Sequence, residues 1–158
     1  MEIRAPNPND REALHALIRR IETFDASEIA HAGALIDLTL DAPDARHPDY
    51  QMLVADRGGS LVGYVCYGPT PMTEGTFDLY WIASVPEVRG QGIGGSLVAA
   101  MEGDLRRRNA RQVRVESSAS EAYGPTRGFY EALHYVEEAR FRDFYAVGDD
   151  LIILRKKL

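Results

Sequence analysis

The run Arg89-Gly90-Gln91-Gly92-Ile93-Gly94-Gly95-Ser96 holds the residue types and spacing best suited to chemistry in this chain. It follows Trp81-Ile82-Ala83-Ser84-Val85-Pro86, which reads as the end of a strand, and opens a stretch whose Leu97, Val98, Met101 and Leu105 recur at helical spacing. A strand, a glycine turn and a helix start in that order suit a phosphate group. Glycines let the backbone approach an anion without a side-chain clash, and the free N–H groups of the first helical turn carry partial positive charge. Arg89 adds a formal charge. Gly90, Gly92 and Gly95 also satisfy the G-x-G-x-x-G pattern, with Glu116 about 20 residues on as a ribose ligand, so a nicotinamide-dinucleotide oxidoreductase is one alternative. Position argues against it: three β-rich runs precede the glycines without crossover helices, and Val85 to Arg89 separate strand from turn.

The elements that must position this segment are legible from periodicity. Glu2 to Ala5 reads as a strand, and Asn7 to Asp10 supplies caps for a helix with Leu14, Leu17, Ile18 and Ile21 on one face. Ser27 is expected to cap a second helix with Ile29, Leu35, Ile36 and Leu38 on its apolar side, ending before Pro43. Gln51 to Arg57 and Ser60 to Gly68 form a hairpin across Gly58-Gly59, and Thr76 to Ser84 is a third strand. A helix over Gly92 to Asn109 follows, then a strand over Gln112 to Ser118 and a short helix over Pro125 to Leu133. Tyr135 to Val147 and Leu151 to Arg155 close the chain as a hairpin across Gly148 to Asp150. The order β-α-α-β-β-β-α-β-α-β-β is neither a regular βα alternation nor an all-β sandwich, and predicts a mixed α/β sheet.

Composition narrows the function classes. A length of 158 residues, 45% hydrophobic, fits a single domain over 1–158. Cys66 is the only cysteine and lies within a β-rich run, so neither a disulfide nor a cysteine-based zinc site can form, and a buried thiol argues against a ping-pong mechanism. The four histidines show no ligand spacing, and no metal is predicted. A net charge of −6 disfavours nucleic acid and anionic membranes. No signal-peptide pattern and no membrane-length apolar run are present, which predicts a cytoplasmic protein.

Arg89-Gly90-Gln91-Gly92-Ile93-Gly94 resembles the signature of the GNAT superfamily of N-acetyltransferases: Arg or Gln, two residues, Gly, one residue, then Gly or Ala. Tyr123-Gly124-Pro125-Thr126-Arg127-Gly128-Phe129-Tyr130 through Tyr135 is similar to a second family segment. The resemblance implies a mixed, mostly antiparallel, splayed sheet flanked by helices, with acetyl-CoA as co-substrate. It implies cofactor contacts from Ile82, Ala83 and Ser84 on the pantetheine arm, from Arg89, Gly90, Gln91, Gly92, Ile93, Gly94, Gly95 and Ser96 on the diphosphate, and from Tyr123 and Arg127. Two departures stand out. Tyr123 occupies the position of a cofactor-binding asparagine, and His134 replaces the usual glycine of the last turn.

The same resemblance implies Tyr130 as the acid that protonates the leaving thiolate and Asp78 as a base acting directly or through water. A strict two-residue strand period would put Tyr80 on one face with Asp78 and Ile82. Glu22 to Tyr50 contains Glu22, Asp25, Glu28, Asp37, Asp41, Asp44 and Asp49 against the single base Arg46, an acidic wall that would favour a cationic amine, small molecule or peptide. A homodimer is the common expectation for small enzymes of this kind. A non-catalytic acyl-CoA sensor or interaction module is the alternative from a different class.

Overall fold

The computed structural model describes residues 1–158. Strands β1 (Glu2–Arg4), β2 (Gln51–Arg57), β3 (Ser60–Pro69), β4 (Thr76–Ser84), β5 (Gln112–Ser118), β6 (Val136–Ala146) and β7 (Asp149–Lys157) form one sheet in the order β1-β2-β3-β4-β5-β7-β6. Helices α1 (Arg11–Arg19), α2 (Ala26–Asp41), α3 (Ile93–Arg107) and α4 (Gly124–Ala132) flank it, and the element order is the one the sequence predicts. Every neighbouring pair is antiparallel except β4 with β5.

Alternation along β3 sorts the two layers. A side chain on Gly63 would meet Ile93 and Leu97 of α3, and the Tyr67 hydroxyl donates to Asp104 of α3 at 3.0 Å, so odd-numbered residues of β3 face α3. Cys66 faces the other way, as does its partner Trp81, which packs on Phe24 and on His31 of α2. Leu14, Leu17 and Ile18 of α1 are buried on this second side.

Helix α2 departs from expectation at two points. Its cap is Asp25, two residues before Ser27, in a capping box in which Asp25 and Glu28 each accept the other's backbone N–H at 2.8 Å. Its buried stripe is Ala32, Leu35, Ile36, Thr39 and Leu40, which leaves Leu38 on the solvent side. The closing hairpin also turns earlier than predicted, with β7 starting at Asp149. His134, in place of the expected glycine, adopts a left-handed φ of 68° just past α4, a conformation that costs a non-glycine residue about 1–2 kcal/mol.

One buried carboxylate ties the α3 layer to the far end of the chain. Lys156 of β7 donates to both Glu102 oxygens at 2.8 Å, and the buried Tyr135 hydroxyl donates at 3.2 Å. Removing one partner of such a pair leaves the other charge unpaired in a dry site, at a cost of about 3–5 kcal/mol. Glu102→Ala is therefore expected to lower the urea midpoint by that equivalent; a midpoint equal to wild type would show the network to be dispensable.

Candidate active site

The parallel pairing of β4 with β5 covers only Thr76, Phe77 and Asp78 against Gln112, Val113 and Arg114. Beyond it the two strands diverge and leave backbone groups without strand partners. Val85 N–H bonds Val62 C=O at 2.9 Å, so by the alternation of an antiparallel ladder Ala83 also faces β3, while the N–H and C=O of Ile82 and Ser84 face the gap. On β5, Ala119 N–H bonds Asp150 C=O, so Glu116 and Ser118 turn their backbone groups to the gap. Of the three expected pantetheine contacts on β4, Ala83 is thus committed to the sheet and buried.

A β-bulge re-aims the side chains of β4. Cys66 pairs with Trp81 and Tyr67 with Leu79, leaving Tyr80 as the extra residue. Asp78, Tyr80 and Trp81 therefore share the α2 side, and Ile82 falls on the α3 side with its partner Val65, which corrects the strict alternation that grouped it with Asp78 and Tyr80.

The gap opens into a cavity of about 730 Å³ lined from both layers. Toward α4 lie Ile82, Val115, Ser117 and Tyr130; toward α2 and the β6–β7 hairpin lie Phe24, Trp81, Tyr123, Tyr145 and the carboxylates of Asp25, Glu28, Glu116 and Asp149. No lysine or arginine lines it. Tyr130 is 3% exposed and packs edge-on against Phe129 and Tyr135; burial alone pushes its phenol well above the usual range. Ser117 is 5% exposed, and its Oγ has no hydrogen-bond partner.

The glycine loop fits a diphosphate. Gly90 and Gly92 hold φ of 74° and 76°, and a side chain on either would meet nothing within 4 Å, so the loop is open to a ligand. Gly92 starts α3 without a side-chain cap, which leaves the first-turn N–H groups at Ile93, Gly94 and Gly95 unpaired. Gly94 allows close approach of α4, since a Cβ there would sit 3.1 Å from the Phe129 ring. Arg89 is half exposed, with Glu22 at 3.3 Å as its ion-pair partner. The Gln91 side chain is held by Arg57 and by Glu87 C=O, and its backbone N–H bonds Val88 C=O at 3.2 Å, so Gln91 shapes the loop more than it offers donors to a ligand.

Three predicted site residues have other work. Asp78 is 6% exposed, outside the cavity lining, and accepts from Arg114 Nε at 2.5 Å and Thr70 Oγ1 at 2.9 Å across the last β4–β5 pair, so it holds the vertex of the gap and is not brought to Tyr130. Arg127 donates to the C=O groups of Ser118 and Ser120 at 2.7 and 2.8 Å, fastening the end of β5 to α4, so its charge serves backbone carbonyls in place of a phosphate. Tyr123 donates to Glu28 Oε1 at 2.8 Å across the cavity; burial and that carboxylate push its phenol up to about 12, and it forms part of the α2-side wall.

The acidic wall is also redrawn. Asp37 and Asp41 accept from Arg11 at 2.6 and 2.5 Å, and His15 with Arg11 holds the Asp37 carboxyl below its usual range, away from the cavity. Of the seven acids expected there, only Asp25 and Glu28 line the cavity. Glu116, the ribose ligand of the dinucleotide alternative, and Asp149 complete its charge. Ser117 had a readable signal, a polar residue ending the buried stripe of Val113 and Val115. Asp149 and Tyr145 had none, because only the placement of β7 between β5 and β6 brings them in.

The family model described as Acetyltransferase (GNAT) domain matches residues 48–137. No curated protein sequence matches the chain. Among solved structures, a protein described as a GNAT-family acetyltransferase from Desulfovibrio desulfuricans is 36% identical, with a TM-score of 0.93 over 99% of this chain and 98% of its own. The ribosomal-protein-S18-alanine N-acetyltransferase of Escherichia coli shares the fold at 20% identity and TM-score 0.77, over 99% of this chain and 92% of its own. An aminoglycoside 6'-N-acetyltransferase complexed with coenzyme A does so at 17% identity and TM-score 0.77, over 99% and 97%.

The place of Asp78 yields a test that separates scaffold from base. Asp78→Asn is expected to lower unfolding free energy by about 1–3 kcal/mol in urea titration while turnover stays within roughly twofold. Intact stability with turnover lost would restore Asp78 as the base.

Proposed function

Because this chain belongs to the GNAT family of acetyltransferases, we propose that it moves an acetyl group from acetyl-CoA directly to a primary amine in the gap between β4 and β5. The observation that carries this reading is the gap itself, which the unpaired backbone groups of Ile82 and Ser84 face and which opens into a cavity lined by Ile82 and Tyr130. The loop at Arg89 to Gly92 and the uncapped start of α3 suit a diphosphate, and Ile82 and Ser84 suit the amides of a pantetheine arm.

Bound acetyl-CoA supplies an activated thioester, at which the amine nitrogen forms the new C–N bond as the C–S bond breaks. The N–H of Ile82 is the candidate donor to the carbonyl oxygen as negative charge develops there. Tyr130 is the acid. Its raised pKa keeps the phenol protonated at neutral pH, and in the same dry surroundings a departing thiolate is also costly, so donation to sulfur accompanies C–S cleavage. The proton released by nitrogen returns to the Tyr130 oxygen through cavity water and restores the starting state. Cys66 takes no part: it is fully buried, and burial pushes its thiol up to about 12.

Thermal unfolding with acetyl-CoA, free CoA or NAD tests the cofactor. At a hundredfold excess over the dissociation constant, binding adds about 2.7 kcal/mol, which raises the midpoint of a domain this size by roughly 5–10 °C. A shift with NAD alone would overturn the assignment. Tyr130→Phe is expected to lower kcat by about 10²–10⁴ with acetyl-CoA affinity nearly intact. Unaltered turnover would remove Tyr130 from the mechanism, and acetyl-CoA binding without CoA release in the presence of any amine would favour a non-catalytic sensor.

A further inference from the structure

The cavity has opposite chemistry at its two ends. Toward α4 its polar side chains are the uncharged hydroxyls of Ser117, Thr126 and Tyr130, and toward α2 it gathers Asp25, Glu28, Glu116 and Asp149, with His31 as the one basic side chain in the lining. These carboxylates are weakly compensated. Asp25 and Glu28 bond the backbone and Tyr123, Asp149 accepts from Ser118 Oγ at 2.5 Å, and none of the three has an ion pair. Glu116 has only Arg114 at 3.6 Å, whose guanidinium is already committed to Asp78 at 2.5 Å. All four carboxylates line the one cavity with Tyr145, and burial together with the charges of Glu116, Asp149 and Glu28 pushes its phenol up. The carboxylates are not grouped to hold a metal ion, and the aromatic faces of Phe24, Trp81, Tyr123 and Tyr145 beside them suit an organic cation.

A second observation is independent of charge. Ser117 Oγ is buried on the wall of the same cavity and lacks any partner in the protein. A polar atom so placed costs about 1–3 kcal/mol unless a ligand or water meets it. An amine that attacks a carbonyl must arrive neutral, and an uncharged hydroxyl accepts its N–H while favouring the protonated form far less than a carboxylate would.

Building on the acetyl-transfer reading, we infer that the acceptor is a small polyamine-class molecule with two nitrogens: the reacting one reaches the Ser117 and Tyr130 end uncharged, and a second stays protonated between Glu28, Glu116 and Asp149. A cavity of about 730 Å³ has the size of a small-molecule site, so both nitrogens are assigned to one small molecule.

Calorimetric titration of spermidine, putrescine and n-butylamine into the protein with free CoA present tests this without turnover. Putrescine is expected to bind at least about tenfold tighter than n-butylamine at low salt, and that ratio is expected to fall toward unity in Glu116→Gln and in Glu116→Lys. Thermal midpoints near wild type identify the variants that fold, and Glu116, half exposed in its side chain, is a mild site for substitution. Equal affinity for mono- and diamine, an unchanged ratio in the variants, or no binding of any of the three would overturn the inference. Diamine binding without acetylation would sink the acetyl-transfer reading alone, whereas equal kcat/KM for putrescine and n-butylamine would sink the inference alone.

Discussion

The pairing of β4 with β5 stops after three residues, and most of what is distinctive in the molecule follows from that interruption. A parallel pair buried in a sheet normally satisfies every backbone group along its length. Here Asp78 and Arg114 close the last pair with a short charge-assisted hydrogen bond, and past it Ile82, Ser84, Glu116 and Ser118 have one edge without a strand partner. Arg127 meets the Ser118 carbonyl. The others form a polar slot inside an otherwise apolar sheet, where an extended ligand with its own amides can complete the ladder. Asp78 thus marks where the gap begins, and burying its carboxylate is tolerable because Arg114 and Thr70 offset the desolvation.

How much of this was legible in the sequence depends on the distance between the partners. Local patterns were readable: the hairpin glycines Gly58 and Gly59, the apolar stripe of α1 and the turn at Arg89 to Gly92 each act over a few residues and appear where expected. The cap of α2 was misplaced by two residues because Asp25 and Ser27 are both good caps, and the reciprocal bond to Glu28 decides between them. The bulge at Tyr80 was not legible, since one extra residue on β4 shows only against the register of β3, yet it turns Trp81 toward α2 and Ile82 toward α3. Charge was the hardest to read. Glu22 to Tyr50 looks like one acidic face, but Arg11 and His15 draw Asp37 and Asp41 away, and the carboxylates that join Asp25 and Glu28 come from β5 and the start of β7.

That redistribution bears on how an acidic chain with a net charge of −6 could handle an anionic co-substrate. Arg89, Arg57 and the first turn of α3 provide positive potential on the glycine loop, while the carboxylates of the cavity collect on the α2 side of the gap. Between the two lies a stretch lined by Ile82, Val115, Ser117 and Tyr130, with no ionised side chain. Opposite charges on the two approaches would draw a diphosphate and an ammonium to different mouths. The neutral middle then penalises any ion that enters it, so the nitrogen must shed its proton and the sulfur must gain one at the same place. A buried phenol and an orphaned hydroxyl on one cavity wall suit that exchange better than a carboxylate would, because both can hydrogen-bond there without adding a charge.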